Sequence, residues 1–368
     1  MPNSFATLRQ KKGALQRSLL SWYARNKRDL PWRKNQDPYR ILISEFMLQQ
    51  TRVETVIPYF DRFLKLFPTL VKLAHASSPK IFKAWEGLGY YARARHLHAA
   101  VKTIVQDYGG KIPRGKKVLL SLPGFGPYVA GAVASIAFNE TVAAVDGNIK
   151  RVLIRLLDIR EAGKVRPRVL EEIAGALVPA GRASDFNQAL MDLGAMVCLP
   201  GQPRCTSCPV KKFCAAQGSV HPGRTAKRVK VRKENWAVAL IAHQGQYFLY
   251  AKEGKGLLSG LWQFPYIVGP SEQKKSAKEK EQLKKTLSAM FGLDILVGKA
   301  LPVQDYFFTH IHAVMKPYLC FLVEGKSVKL PKQARWIKPS SFSRYPLSTA
   351  MKKIAALIPP PQAGKNKS

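Results

Sequence analysis

Four of the chain's five cysteines are concentrated in one short segment, so the local fold there has few options. The spacing is C-x6-C-x2-C-x5-C, and four sulfur atoms can surround one centre only if this segment closes into a loop. A zinc ion and an iron–sulfur cluster both suit four thiolates, and the residue types leave both open. A disulfide network is disfavoured because residues 1–10 lack the apolar core of a secretion signal. The four candidate ligands are Cys198, Cys205, Cys208 and Cys214.

The second constraint is charge. The chain carries 60 Lys and Arg residues against 23 Asp and Glu residues, a formal net charge of +37. Such an excess favours a polyanionic partner, most simply nucleic acid, over a halo of solvated lysines. With 46% apolar residues over 368 positions the chain can build packed cores, and its length suggests two or three domains. No apolar run reaches the roughly 18 residues of a membrane span, so no membrane partner is expected.

The spacing of apolar residues changes once along the chain. Up to residue 218 it is helical, and the Pro and Gly punctuation predicts about ten helices with little strand. Residues 219–233 contain six Lys or Arg and no acidic residue, which predicts an extended basic linker. Residues 234–358 mix strands with one charged helix, and the tail at 359–368 is expected to be disordered. The expected strands are 236–242, 246–251, 318–323 and 334–337, and the expected helix is 274–290.

A glycine-rich turn joins two helical stretches at residues 122–128 (LPGFGPY). Gly124 and Gly126 permit a tight turn, and the backbone amides there and at the start of the next helix can bind one phosphate group. An ordinary connection between two helices would show the same pattern. The last residue of the turn, Tyr128, carries a phenol with an ordinary pKa near 10, which cannot form an imine as a lysine could.

Two carboxylates stand in apolar surroundings. Glu45 falls in line with Ile41, Leu42 and Leu48 at helical spacing, so burial would raise its pKa and let it hold a proton near neutrality. At the edge of the stripe it would instead reach water. Asp146 precedes a helix, which favours an N-cap, but its apolar approach also places it at a partly buried junction. A proton-holding acid and a fixed anion form the pair required to cleave a glycosidic bond through an oxocarbenium-like transition state.

Several segments together resemble the MutY family of adenine DNA glycosylases, within the endonuclease III-like superfamily. Besides the hairpin and the cysteine loop, they are residues 29–33 (DLPWR), 45–51 (EFMLQQT), 87–95 (GLGYYARAR), 145–148 (VDGN) and 187–194 (NQALMDLG). The resemblance covers almost the whole chain. It implies an α-helical endonuclease III-like catalytic region over residues 1–218, built of a six-helix barrel module and an iron–sulfur module. It also implies that the cysteine loop holds a [4Fe–4S] cluster rather than zinc.

The resemblance implies a role for each site residue. Glu45 would protonate N7 of adenine as general acid, and Asp146 would stabilise the positive charge that develops on the sugar. Tyr128 and Asn148 would hold these groups and the sugar in place. The remaining implied contacts are Arg33 and Gln188 with the flipped adenine, Gln49, Gln50 and Tyr90 with the vacated space and the partner base, and Leu48, Thr51 and Leu88 with the oxidised guanine. Without the resemblance, Tyr90 would be expected in the core.

The C-terminal region, residues 234–358, resembles the Nudix-like α+β domain of the same family. Alignment of the Nudix signature puts residues without a carboxylate where the Mg²⁺-binding glutamates belong, so pyrophosphate hydrolysis is not expected. These residues are Thr286, Ala289 and Met290. A Phe-Ser-His loop that contacts 8-oxoguanine in the family corresponds to Phe308, Thr309 and His310, where threonine keeps the hydroxyl and adds a methyl group. An ordinary turn between strands is the alternative for this loop.

The resulting prediction is a monofunctional adenine DNA glycosylase of base-excision repair. Its expected partner is double-stranded DNA with adenine opposite 8-oxoguanine or guanine, and it is expected to act as a monomer at the nucleoid of a bacterial cytoplasm. One alternative is a bifunctional glycosylase/lyase, which should carry lysine in place of Tyr128. The other is a non-catalytic damage-binding protein, which would need neither Glu45 nor Asp146.

Overall fold

The computed structural model describes residues 3–161, 163, 165–217, 231–252, 254, 256–269, 276–323 and 330–359. Over these residues twelve α-helices precede the cysteine loop, against about ten expected, because helices of five and four residues are too short to show a periodicity. No helix in the described ranges is long and apolar enough to cross a membrane. The helices are α1 Asn3–Gln10, α2 Lys12–Asn26, α3 Pro38–Leu48, α4 Val53–Leu66, α5 Leu70–Ala74, α6 Ser78–Trp85, α7 Ala92–Asp107, α8 Lys116–Leu119, α9 Pro127–Ala132, α10 Gly147–Leu156, α11 Pro167–Leu177 and α12 Ala183–Asp192.

The chain divides into two compact units. The first comprises Met1–Ala76 and Ala92–Lys227, and the second comprises Ser77–Tyr91 and Arg228–Ser368. Helix α6 therefore groups with the C-terminal region, which no sequence pattern indicated. Most of the predicted linker and the predicted tail, residues 218–230 and 360–368, lie outside the described residues, and a strand already begins at Arg232.

The core of the first unit forms where the apolar faces of five helices meet. One face of α2 contributes Leu15, Leu19 and Tyr23, all at most 4% exposed. They share one cluster with apolar residues of α1, α10, α11 and α12. The cysteine loop adds Val210 to the same cluster. The loop and the helices that follow Asp146 and carry Gln188 are therefore stabilised by one common core.

Helix α3 is buried on almost every side. It starts at Pro38, and the Asp37 side chain caps it by accepting a 2.9 Å hydrogen bond from the Tyr39 amide. A helix that is apolar all round belongs in the interior, and all of its residues from position 41 to position 47 are buried. Two polar side chains, Ser44 and Glu45, are carried into the interior with it. The Ser44 hydroxyl donates to the Ile41 carbonyl at 2.8 Å. The Glu45 carboxylate has no such partner in its own helix turn, so it requires a hydrogen bond from elsewhere or a bound proton.

The second unit is built on one mixed sheet. Its strands are β1 Arg232–His243, β2 Gln246–Ala251, β3 Trp262–Gln263, β4 Tyr266–Gly269, β5 Ile295–Ala300, β6 Gln304–Phe307, β7 Ile311–Leu322 and β8 Ala334–Ile337. The order is β3-β2-β1-β7-β5, with β4 paired to β1, β6 to β7 and β8 to β2. Strands β1 and β7 are parallel, and the other pairs are antiparallel.

The α+β prediction for this region is confirmed. Two of the expected strands, β1 and β2, form a hairpin, with Ala242 opposite Tyr247 and with positive φ at Gln244 and Gly245 in the turn. The expected charged helix is α13, Ser276–Phe291, and its Leu283, Leu287 and Phe291 pack into the core of the sheet. A last helix, α14, spans Thr349–Ala355.

Candidate active site

One cavity of about 920 Å³ in the first unit brings together the predicted active-site residues. Its walls come from α3 and the loop after it, the hairpin, the start of α10 and one face of α12. Residues far apart in the sequence thus share one concave surface large enough for a flipped nucleotide. The predicted residues that line it are Arg33, Glu45, Leu48, Gln49, Gln50, Thr51, Gly124, Gly126, Tyr128, Asp146, Asn148 and Gln188.

Glu45 lines this cavity while only 4% of its surface is exposed. Burial raises the pKa of Glu45 to about 7; the hydrogen bond from Tyr128 opposes this rise, and the negative charge of Asp146 adds to it. The Tyr128 hydroxyl donates to Oε2 at 2.5 Å, and because burial raises the pKa of Tyr128 well above 10, that hydroxyl stays a donor. The alternative of a solvated glutamate is therefore wrong, and Glu45 can hold a proton near neutral pH.

Asp146 is both the N-cap of α10 and a wall of the cavity. Its Oδ1 accepts from the Ile149 amide at 2.7 Å, and its Oδ2 accepts from the Asn148 side chain at 2.9 Å. Burial raises the pKa of Asp146 above its usual value, while these hydrogen bonds and the charge of Arg151 favour the anion. The cap and the site are therefore not alternatives, because the capping bonds hold the carboxylate in one orientation.

A buried carboxylate that sequence reasoning missed holds Arg33. Asp192 at the end of α12 is fully buried and accepts from Arg33 Nη1 at 2.7 Å and Nη2 at 3.1 Å. It also accepts from Arg28 Nε at 2.7 Å. The two-pronged bond fixes the plane of the Arg33 guanidinium at the cavity wall. Asp192 lies in the segment 187–194, and only its position opposite two arginines distinguishes it from an ordinary helix residue.

A second missed residue shapes the loop after α3. Arg93 of α7 is 6% exposed, and its Nη1 donates to the carbonyl oxygens of Met47 and Gln49 at 2.6 and 2.5 Å. Its Nη2 donates to the Thr51 hydroxyl at 3.0 Å. The last carbonyls of a helix have no partner within it, and Arg93 supplies one. Gln50 takes a positive φ of 59° in between, so a single guanidinium holds the loop in a bent conformation.

The hairpin runs from α8 to α9, and only one of its two glycines is required by the turn. Gly124 has a φ of 75°, and a Cβ there would lie 2.3 Å from Cβ of His96. Gly126 has extended backbone and no atom near the position of a Cβ, so the expectation that both glycines permit the turn holds for Gly124 alone. Phe125 packs edge-on against Phe46 of α3, with ring centroids 5.6 Å apart, which ties the hairpin to the helix of Glu45.

The four cysteines line one small cavity, and all of them are free thiols. Arg155, only 5% exposed, donates to Sγ of Cys198 at 3.3 Å and to the Leu199 carbonyl at 2.7 Å. Within the described ranges, no three His, Cys, Asp or Glu side chains converge at the distances of a single metal ion. The groups that the loop offers to a metal centre are thus the four cysteine sulfur atoms that line the cavity, and the Arg155 guanidinium lies beside one of them.

A hydrogen-bonded chain connects this loop to the carboxylate of Asp146. Arg151 donates through Nε to the Cys198 carbonyl at 2.8 Å and through Nη2 to Oδ1 of Asn148 at 3.0 Å. Asn148 in turn donates to Asp146. The backbone of the cysteine loop is thus linked to the Asp146 carboxylate through the side chains of Arg151 and Asn148.

The chain is similar to known proteins both in sequence and in fold. Residues 43–179 match the HhH-GPD superfamily base excision DNA repair protein, and residues 237–357 match the NUDIX domain. The solved structure of a thermostable thymine-DNA glycosylase is 33% identical, with a TM-score of 0.53 over 56% of this chain and 97% of its own. A trapped endonuclease III–DNA covalent intermediate covers 57% of this chain and 96% of its own, with 21% identity and a TM-score of 0.50, and shares the fold. The mouse adenine DNA glycosylase is 34% identical over 413 positions, covering 96% of this chain and 79% of the mouse protein.

The chain belongs to the adenine DNA glycosylase family. This confirms the family resemblance that the sequence motifs indicated, and it makes the chain a DNA N-glycosylase of base-excision repair. The endonuclease III-like helical fold and the Nudix-like α+β fold are confirmed with it.

The remaining predicted contacts of this glycosylase lie in its second unit. Tyr90 is 44% exposed, so the alternative of a core residue is wrong, and its hydroxyl accepts a 3.1 Å hydrogen bond from Thr309. Phe308 stacks on Trp236 with ring centroids 5.6 Å apart, which anchors the 308–310 loop, and His310 is exposed. Leu88 is only 5% exposed.

Proposed function

We propose that this glycosylase removes adenine paired with 8-oxoguanine or guanine, by hydrolysis and without efficient strand cleavage. One observation carries the proposal: Glu45, with a pKa near 7, and the hydrogen-bonded Asp146 line the same cavity. An acid that keeps its proton and a fixed anion are the two groups that cleavage of a glycosidic bond requires. A non-catalytic damage-binding protein would have no use for a buried acid in this state.

Glu45 acts first, as general acid. Adenine leaves far more readily as a neutral base than as an anion, so protonation of N7 lowers the barrier to breaking its bond to the sugar. Because the Tyr128 hydroxyl donates to Oε2, the proton that moves to N7 is carried by Oε1. Once that proton has left, the Glu45 carboxylate can accept a proton from the water that attacks the sugar.

Asp146 stabilises the sugar as positive charge develops on it. The carboxylate is already oriented by the Ile149 amide and by Asn148, so it need not rearrange when the charge appears. Flipping of the nucleotide precedes both steps, because N7 and the sugar carbon are poorly accessible in a stacked duplex. Arg33, held by Asp192, and Gln188 of α12 receive the flipped adenine on the cavity wall.

Two surfaces are assigned to the rest of the duplex. The loop held by Arg93 supplies Gln49 and Gln50 to the vacated space, with Leu48 and Thr51 beside them. Tyr90 and Leu88, with the 308–310 loop, are assigned to the base opposite adenine. Gly126 leaves its backbone open, which suits the approach of a phosphate group to the hairpin.

We also propose that Cys198, Cys205, Cys208 and Cys214 hold a [4Fe–4S] cluster. The fit rests on four cysteines that line one cavity without forming a disulfide, and on the cation of Arg155 beside Cys198, which suits a sulfur that becomes negatively charged. When bound, the cluster ties the loop together and stabilises the core that it shares with α10 and α12. No step of adenine removal passes through it.

The purified protein is expected to be brown and to contain iron and inorganic sulfide in equal amounts, because iron and sulfide occupy alternate corners of the cluster. Elemental analysis beside visible absorbance measures this directly. A colourless protein with stoichiometric zinc would refute the cluster and leave the glycosylase proposal untouched.

A duplex with one adenine opposite 8-oxoguanine should release free adenine, and its strand should break mainly after hot alkali. Tyr128 cannot form an imine, but Lys150 also lines the cavity and places an amine there. The assay therefore includes Lys150→Gln, which should leave adenine release intact and remove any faint cleavage seen without alkali. Equal cleavage with and without alkali would indicate a lyase, and no free adenine would refute the proposed function.

A further inference from the structure

Glu86 is a nearly buried carboxylate that plays no part in the chemistry described above. Its side chain is 10% exposed and lies directly after α6. One oxygen, Oε1, accepts from the Leu347 amide at 3.0 Å. The other, Oε2, lies 2.5 Å from Nζ of Lys83 and 3.1 Å from Nζ of Lys352. A carboxylate with a backbone donor and two ammonium groups is held tightly in one place.

Two of these three partners come from the far end of the chain. Lys352 lies on α14, and Leu347 lies just before that helix. Leu347 is itself attached to the sheet, because it forms a β-bridge with Trp262, whose amide donates to the Pro346 carbonyl at 2.9 Å. Glu86 therefore connects the end of α6 to the central sheet of the same unit.

Two further contacts attach the neighbouring residues to the same unit. The Phe82 ring of α6 lies so close to Gly260 that a Cβ there would come within 2.4 Å of it. At the other end, Thr309 donates to the Tyr90 hydroxyl. Residues 82–90 are thus held at their start, at Glu86 and at Tyr90 by the C-terminal part of the chain.

The segment from Glu86 to Tyr90 has an unusual backbone conformation. Gly87, Gly89 and Tyr90 all have positive φ, at 103°, 69° and 48°. Two glycines in four residues give the unfolded segment many alternative conformations, so it is costly to hold in this one. Leu88 is buried while Tyr90 is 44% exposed, so the presentation of Tyr90 depends on the conformation being kept.

We infer that Glu86 is a positioning residue through which residues 345–352 hold the Gly87–Tyr90 segment in place for selection of the base opposite adenine. The inference rests on the proposed function, because Tyr90 is assigned there to the probing of that base. The C-terminal region would then affect selection of the base opposite adenine in two ways, through the 308–310 loop and through the position of Tyr90. Lys83 and Lys352 both pair with Glu86, but each of them is at least one third exposed. The less exposed Glu86 carboxylate, which contacts both lysines and the Leu347 amide, is therefore the residue to substitute.

The test uses the full chain with Glu86→Ala and the milder Glu86→Gln. Single-turnover adenine release is measured on two duplexes that differ only in 8-oxoguanine or guanine opposite adenine. The quantity compared is the rate with 8-oxoguanine divided by the rate with guanine. Loss of the charge-assisted hydrogen bonds is expected to reduce this ratio by about tenfold in Glu86→Ala, and less in Glu86→Gln, which keeps an acceptor for the Leu347 amide. The matched control is Glu172→Gln, which removes an exposed carboxylate paired with Arg168 and should leave the ratio unchanged.

A second readout does not depend on activity. Hydrogen–deuterium exchange without DNA should show faster exchange at the amides of residues 87–91 in Glu86→Ala than in the unaltered protein, with the peptides of α3 unaffected. Unchanged exchange, or two rates that fall in parallel at a constant ratio, would overturn the inference. If the unaltered protein releases no adenine at all, the proposed function fails, and the exchange data alone decide whether Glu86 holds the segment.

Discussion

Glu45→Gln is expected to reduce single-turnover adenine release by about 10³-fold, because the amide cannot deliver a proton to N7. Gln has the same shape and can still accept from Tyr128, so the fold and duplex binding should be retained. Adenine release and duplex affinity measured side by side separate the two effects. Glu54→Gln on the exposed start of α4 is the control. Retention of more than a tenth of the activity would mean that the proton comes from elsewhere.

The pKa of about 7 gives the same residue a pH signature. Glu45 is protonated below that value, so single-turnover adenine release should fall as pH rises through about 7. The folded state also holds more protons than the unfolded state between the usual pKa of 4.5 and about 7, so stability falls as pH rises through that window. Above it, Glu45→Gln should be more stable than the unaltered protein by up to about 3 kcal/mol. Thermal melts at both ends of the window test this, and a lower melting temperature for the variant at high pH would contradict it.

Asp146→Asn is the second change with a large expected effect, a loss of about 10³-fold in the rate of adenine release. Asparagine caps a helix as well as aspartate does, and its oxygen can still accept from the Ile149 amide. The substitution therefore removes the negative charge beside the sugar while α10 keeps its start. Circular dichroism should be unchanged and the melting temperature should fall only slightly, because the bond from Asn148 to Oδ2 is lost while the cap is kept. The loss of activity should appear in the chemical step measured with enzyme in excess.

The informative comparison for Asp146→Asn is with Asp37→Asn, an equivalent replacement at the cap of α3. That variant keeps its cap in the same way and should lose little activity. If both variants lost activity equally, helix capping rather than charge at the sugar would explain the effect.

Most residues of the candidate site could be picked out from the sequence because they carry unusual chemistry in short, regular patterns. Glu45 in an apolar helical stripe, Asp146 before a helix and the four cysteines all stand out by type and spacing. Arg93 and Asp192 could not be found this way. An arginine in a helix or an aspartate near a helix end is usually solvated, and the roles of Arg93 and Asp192 depend on partners that lie 42 to 164 positions away. Only folding brings those partners within hydrogen-bonding distance.

The domain organisation shows the same division. Helical periodicity followed by alternation was enough to predict a helical region and an α+β region, because the two periods reflect how each element buries its apolar face. The same periodicity says nothing about which compact unit a helix joins, and α6 groups with the C-terminal one.

Residue types and their spacing were thus sufficient to predict a helical region followed by an α+β region and to single out Glu45 and Asp146 as the proposed catalytic pair. The family came from the resemblance of several motifs to known proteins. Three things depended on the tertiary structure: the pKa of Glu45, the support of Arg33 and of the loop after α3, and the attachment of residues 77–91 to the C-terminal unit. Each is a property of groups distant in sequence, whose energies of desolvation and hydrogen bonding exist only once the chain has brought them together.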